Sequence, residues 1–194
     1  GDACAVAAAV AIATRHGAHL SLLEFVNMPM LPAGPWGGGE VGWGDLLAKF
    51  HEDAEADAAA WRERLSKEDP LLLSEVRVVE SLLDGAPRQA ALHARYADLA
   101  ILPMAGSQAR DASIVTDFFV SLLLDSGRPV LLIPPAYSWK PAARVVVAWQ
   151  PKRDATRALH DAMPFLREAG TIDLLEVPEG AYDTFQGADI ATHL

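Results

Sequence analysis

The chain has one cysteine, Cys4, among its 194 residues. No disulfide can close within it, which excludes a disulfide-stapled scaffold and fits a reducing compartment. Nothing beside Cys4 in the sequence would lower a thiol pKa, so it reads as a small buried residue. Basic residues are also few: 16 Lys and Arg stand against 26 Asp and Glu, a net charge of −10. That balance argues against nucleic acid and against an anionic membrane surface as partners. Apolar runs are short, and none reaches the ~18 residues of a membrane span. The start, Gly1-Asp2-Ala3-Cys4, lacks the basic region of a signal peptide. The expectation is a cytoplasmic protein. His16, His19, His51, His93, His160 and His193 form no zinc-type spacing, and no Gly-x-Ser-x-Gly elbow occurs.

What is present is core material. Hydrophobic residues make up 51% of the chain and charged residues 22%, a globular composition with room for one domain or for one and a part. Ala3 to His16 is helical in propensity, with Asp2 as N-cap and Gly17 as stop. Leu20 to Val26 reads as a strand. Asn27 to Gly44 is a loop with Gly34, Gly37, Gly38, Gly39 and Gly42. Its Trp36 and Trp43 suit a lid or a partner contact, or aromatics tucked on the surface. From Asp45 to Lys67, the residues Leu47, Phe50, Ala54, Ala58, Trp61 and Leu65 recur every three or four positions, the stripe of an amphipathic helix. Its acidic opposite face is a solvated surface.

Ser74 to Val79 is a second strand. Asp84-Gly85-Ala86-Pro87 opens a helix to about Tyr96, with Asp84 as N-cap. The stretch that follows organises the chain. Asp98 to Pro103 is a strand, Met104 to Arg110 a loop, 113–125 an apolar helix, Gly127 a stop, and 129–133 another strand. Both strands are unbroken apolar runs, as expected of strands buried on both faces of a parallel sheet. Ligands of such sheets sit beyond the carboxyl ends of the strands, which directs attention to Met104–Arg110. The helix is apolar on most faces, which predicts burial on more than one side.

After a linker at 136–143 the pattern begins again. Arg144 to Trp149 is a strand, Asp154 to Ala169 a helix with Asp154 as N-cap, Gly170 a stop, and Thr171 to Val177 a strand. Gly187-Ala188-Asp189-Ile190 opens a further helix. Helix, glycine and strand thus occur twice, the second time as Ile172-Asp173-Leu174-Leu175-Glu176-Val177 against Leu20-Ser21-Leu22-Leu23-Glu24-Phe25. The expected organisation is a first domain at 1–135, the linker, and the start of a second copy at 144–194. The first copy has no strand ahead of its first helix. Residues upstream of Gly1 and downstream of Leu194 are therefore expected to complete the two domains. The alternative is that strand 144–149 fills the open place in the first sheet by pairing with strand 98–103.

Tyr96-Ala97-Asp98-Leu99-Ala100-Ile101-Leu102, followed by Ser126-Gly127-Arg128-Pro129-Val130-Leu131-Leu132-Ile133-Pro134, resembles the universal stress protein family. So does Val145-Val146-Val147-Ala148-Trp149 with Ala155-Thr156-Arg157-Ala158-Leu159, and Gly187 to Ala191 resembles the family's second helix. Nearly all of the chain is covered, in the manner of tandem two-domain members. The resemblance implies an α/β, flavodoxin-like, doubly wound parallel sheet of the adenine nucleotide alpha hydrolase type, with the second repeat incomplete. It also implies a homodimer or an intramolecular domain pair, and a stress-response role. ATP-binding members carry Gly-x2-Gly-x9-Gly-[Ser/Thr], whose glycines let backbone amides approach phosphates at a helix amino end. Counted from Gly106, the later positions of that motif are Ala109, Phe119 and Val120; counted back from Pro129 they reach Thr116-Asp117. The family's first-strand Asp is replaced by Gln150 or its neighbours. Gly106, Ser107, Gln108, Ala109 and Thr116 then form a degenerate nucleotide-binding loop. The expected function is a non-catalytic stress-response module whose first domain serves in packing or interaction. The alternative is a protein that binds ATP or another adenine nucleotide, or a weak ATPase, with its site mainly in the second domain.

Overall fold

The computed structural model describes residues 2–28, 40–82, 85–104, 109–176 and 190–192. They form a mixed α/β chain of helices and short parallel strand pairs, in two compact units, Gly1–Trp139 and Lys140–Leu194.

Alanines, which lose no side-chain entropy on folding, open unit 1 as helix α1 (Asp2–His16). Gly17 ends it at φ +59°, with Ala18 N–H donating to Ala13 O (2.9 Å) and Gly17 N–H to Thr14 O (3.3 Å). These two bonds satisfy carbonyls that a helix end leaves open. Strand β1 (Leu20–Met28) follows, then helix α2 (Glu40–Glu68). The six-residue stripe read from the sequence is the inward face of α2, with Ala54, Ala58 and Leu65 buried and Leu47, Phe50 and Trp61 half-buried. The helix starts ahead of the expected Asp45. Gly42 and Gly44 lie in its first two turns, and their cost there is the low helix propensity of glycine.

Strand β2 (Ser74–Leu82) lies parallel to β1, in register from Leu20 opposite Ser74 to Met28 opposite Leu82. Helix α3 spans Ala86–Ala94, its N-cap is Gly85 rather than the expected Asp84, and Pro87 stands in its first turn. Strand β3 (Ala100–Pro103), helix α4 (Ala109–Ser121) with a π-turn at 122–126, and strand β4 (Val130–Ile133) complete unit 1. Strands β3 and β4 are parallel, with Ala100 opposite Val130.

Helix α1 lies across both strand pairs. Its Val6 and Val10 share a core with Ala58, Leu65, Val76, Leu20 and Leu22, while Ala5 and Ala8 share another with Ile133, Ile101 and Leu131. Ala90, Ala91 and Ala94 of α3 join Leu122, Phe25, Ala100 and Leu102 in a third. Along β1, even-numbered residues thus meet α1 and α2, and Phe25 meets α3 and α4. Among the described residues no ladder joins β1–β2 to β3–β4. Contrary to expectation, β3 is half-buried throughout, and only Ile133 of β4 is fully covered. Burial on both faces needs a sheet continuous on both sides of a strand, and β3 has a ladder on one side alone.

Unit 2 contains strand β5 (Arg144–Trp149), helix α5 (Arg153–Leu166) and strand β6 (Thr171–Glu176). Strand β5 pairs parallel with β6, from Arg144 opposite Thr171 to Trp149 opposite Glu176. Trp149, Leu159 and Leu166 form its core, with Val145, Val147, Ile172, Leu174 and Ile190 packed against them. The N-cap of α5 is Lys152, so Asp154 sits inside the first turn instead of capping it. The helix ends at Leu166 and not Ala169, where the hydrogen bonds tighten to Glu168 N–H donating to Phe165 O (3.3 Å) and Ala169 N–H to Leu166 O (3.1 Å); Pro164 lies inside it. Gly170 is required by space rather than by φ: a Cβ there would lie 3.0 Å from Ala143 O.

Candidate functional site

The place singled out by the sequence lies past the carboxyl end of β3. The ladder runs one step beyond the strand, with Met104 N–H donating to Ile133 O (2.7 Å). Gly106, Ser107 and Gln108 lie outside the described residues, as do Trp36 and Asp84. Ala109 is the first residue of α4. Thr116 is seven residues further along that helix, roughly 10 Å along its axis. Its hydroxyl donates to Ala112 O (2.7 Å), a back-bond within its own helix. Ala109 and Thr116 are therefore on one helix but not at one spot. Phe119, at the third glycine's position, is half-buried on the inward side of α4, and Asp117 is exposed.

In unit 2, Gln150 is half-buried just after β5, and its carbonyl accepts from Lys152 N–H (2.7 Å). The carbonyl of Lys152 accepts from both the N–H (3.0 Å) and the hydroxyl (3.1 Å) of Thr156. This turn is closed by its own hydrogen bonds.

A second feature was not visible in the sequence. Arg88, Ala91, Leu92, Arg95 and Asp125 line an open groove of about 380 Å³. At its edge two arginines bind each other's helix ends. Arg95 donates from Nε and Nη2 to Asp125 O (3.2 and 3.1 Å), and Arg128 donates from Nε and Nη2 to Arg95 O (3.3 and 2.8 Å). Both acceptors are carbonyls at helix ends, where cations are favoured. Ser126 reinforces the turn, donating to Leu122 O (2.5 Å) and accepting from Arg128 N–H (3.0 Å), and Gly127 closes it at φ +73°. The groove is thus a helix junction with a fixed guanidinium, and its chemistry is positional.

The ionisable groups with displaced pKa values are surface ties. The Thr14 hydroxyl donates to Asp69 Oδ2 (2.6 Å), and the Leu71 N–H to its Oδ1 (3.0 Å); these hold the Asp69 carboxyl below its ordinary value. Arg77, then Ser21, lower that of Glu75. Arg144 and Asp173 form a two-bond pair that lowers the carboxyl and raises the guanidinium. His51 Nε2 lies 3.7 Å from Glu80 Oε1. Among the described residues no three His, Cys, Asp or Glu side chains are grouped to hold a metal ion. Among the same residues no helix is long and apolar enough to cross a membrane.

The outer side of α4 is the remaining feature. Its inward residues Val115, Phe118, Phe119 and Leu122 follow helical spacing. Facing away, Ile114 is 54% exposed, Val120 44%, Leu123 51% and Leu124 73%. Among the described residues the expected burial on more than one side is not found: these four side chains are exposed. Comparison with family models, with curated proteins and with solved structures finds no match.

Proposed function

We propose that the chain is a universal stress protein-like, non-catalytic cytoplasmic module of a stress response, and that unit 1 works as an interaction surface. In this reading the strand pairs belong to a doubly wound parallel sheet, and unit 2 begins a second copy of the same domain. The observation that carries it is the outer face of α4. Four large apolar residues on α4 and the π-turn that continues it, exposed by roughly half or more, mark a contact surface more readily than a solvated one. A second copy of this chain is the proposed partner. The Met104–Arg110 position, next to the amino end of α4, is its degenerate nucleotide loop: Ala109 stands where a glycine would be, and the Thr116 hydroxyl is already engaged.

A second reading, binding of ATP or another adenine nucleotide, is favoured by one observation. Helix α4 begins at Ala109, shortly after β3 ends at Pro103 in the sequence, and a helix amino end is a place where an anion is favoured. One pair of measurements separates the readings. Light scattering after size exclusion is expected to give a dimer that becomes a monomer in Leu124→Glu, with melting temperature unchanged by millimolar ATP. A monomeric wild-type chain whose melting rises with ATP replaces the first reading with the second.

A further inference from the structure

Arg88, Ala91, Leu92 and Arg95 fall at helical spacing, so they share one face of α3 and of the turn that caps it. That face lines the groove of about 380 Å³, with Asp125 completing the lining. Two apolar residues therefore lie between two cations set about 10 Å apart along the helix. Ala91 is buried, Leu92 is 38% exposed, and Tyr96, which follows Arg95, is 95% exposed.

The fold leaves most of this positive charge open. A guanidinium carries five N–H donors, arranged along two edges. Arg95 uses its Nε–Nη2 edge on Asp125 O, and Arg128 uses the same edge on Arg95 O. Among the described residues the Nη1 donors of both have no partner, and exposed Arg88 has no hydrogen bond or ion pair at all. Asp125 is the one carboxylate lining the groove, and it accepts from the Ser121 hydroxyl (3.4 Å). In a chain of net charge −10, these three arginines around an apolar floor reverse the charge locally. Carbonyls already pin the Arg95 guanidinium, so less side-chain freedom is lost when a partner arrives.

We propose that this face of α3 docks a short acidic amphipathic helix of a partner protein. Two of its carboxylates, two turns apart, meet Arg88 and Arg95, and leucine-type side chains between them rest on Ala91 and Leu92. A small anion would leave Leu92 and Tyr96 uncovered. A neutral apolar helix would cover guanidinium donors without supplying acceptors. The groove is independent of whether the outer face of α4 docks a second copy.

Fluorescence anisotropy on the whole chain tests this, with a fluorescein-labelled peptide of two tandem copies of Glu-Ala-Gln-Leu-Leu-Gln-Ala-Glu. Saturable binding with a Kd below about 1 mM is expected. Arg88→Glu, which leaves the melting temperature unchanged, should weaken it by about tenfold or more. So should glutamine in place of the peptide's glutamates, and alanine in place of its leucines. Lys49→Glu, the same charge reversal at an exposed position of α2, should change the Kd by less than about twofold. No saturable binding, equal binding of the glutamine or the alanine peptide, unchanged binding by Arg88→Glu, or equal weakening by Lys49→Glu overturns the proposal. A dimer of the free chain that Arg88→Glu converts to a monomer assigns the groove to a second copy, and also overturns it.

Discussion

Helices α1 and α5 stand at the same place in a repeated helix–glycine–strand pattern, and they solve different packing problems. Helix α1 buries Ala5, Val6, Ala8, Ala9, Val10, Ile12 and Ala13, residues on most of its circumference. Helix α5 buries Leu159 and Leu166 and leaves Arg157, Ala158 and His160 in solvent. A helix spanning two strand pairs has neighbours on several sides and needs small residues to approach them. A helix lying on one two-stranded sheet needs a single apolar face. The glycines differ in the same way. Gly17 answers a backbone angle, φ +59°, with open space around it, whereas Gly170 answers the closeness of Ala143 O.

The sharpest test of the contrast is enlargement of one alanine in each helix. Ala8→Leu is expected to destabilise unit 1 by about 1–3 kcal/mol in urea unfolding, and Ala158→Leu to stay within about 0.5 kcal/mol of the parent. Equal tolerance at both positions would break the comparison, since it would mean that α1 has room around it. The glycines come next. Gly17→Ala is expected to cost about 1–2 kcal/mol, and Gly17→Asn to recover part of that loss, because asparagine accepts the left-handed conformation. At Gly170, asparagine should be no better than alanine, because the obstacle is a carbonyl oxygen. Rescue by asparagine at both sites would show that one cause serves both.

The smallest effect is electrostatic. The carboxyls of Asp69 in unit 1 and Asp173 in unit 2 are held below their ordinary values, by the Thr14 hydroxyl and by Arg144. A carboxyl with a depressed folded pKa adds stability above its unfolded pKa, about 3.9 for aspartate. That contribution is lost as pH falls through the folded value. Thr14→Val should therefore flatten the acid limb of the stability profile through unit 1, and Arg144→Gln through unit 2. An acid limb as steep in both variants as in the parent would remove these ties from the account.

Much of the fold was legible because its signals are local. The inward stripe of α2, the stops at Gly17 and Gly127, and the strands at 20, 74, 100, 130, 144 and 171 each follow from a few adjacent residues. Non-local features were not legible. Half-burial of β3 depends on which strand lies beside it, and the composition of Ala100–Pro103 carries no trace of that. The reciprocal bonds of Arg95 and Arg128 join residues some thirty positions apart through backbone carbonyls, which have no sequence signature. Of the candidate loop, Ala109 and Thr116 are placed, and they lie about two helical turns apart on α4.

Trp149 gives unit 2 a spectroscopic label of its own. Its indole is 5% exposed, and its Nε1 is buried without a hydrogen-bond partner. An excited indole shifts its emission to the red by drawing water and polar groups around its enlarged dipole, and this one is buried with no hydrogen-bond partner among the described residues. Its fluorescence therefore belongs at the blue edge of the chain's emission, while Trp61 and Trp139, both partly exposed, emit further to the red. Loss of that blue edge during unfolding reports the core beneath α5 separately from the cores beneath α1.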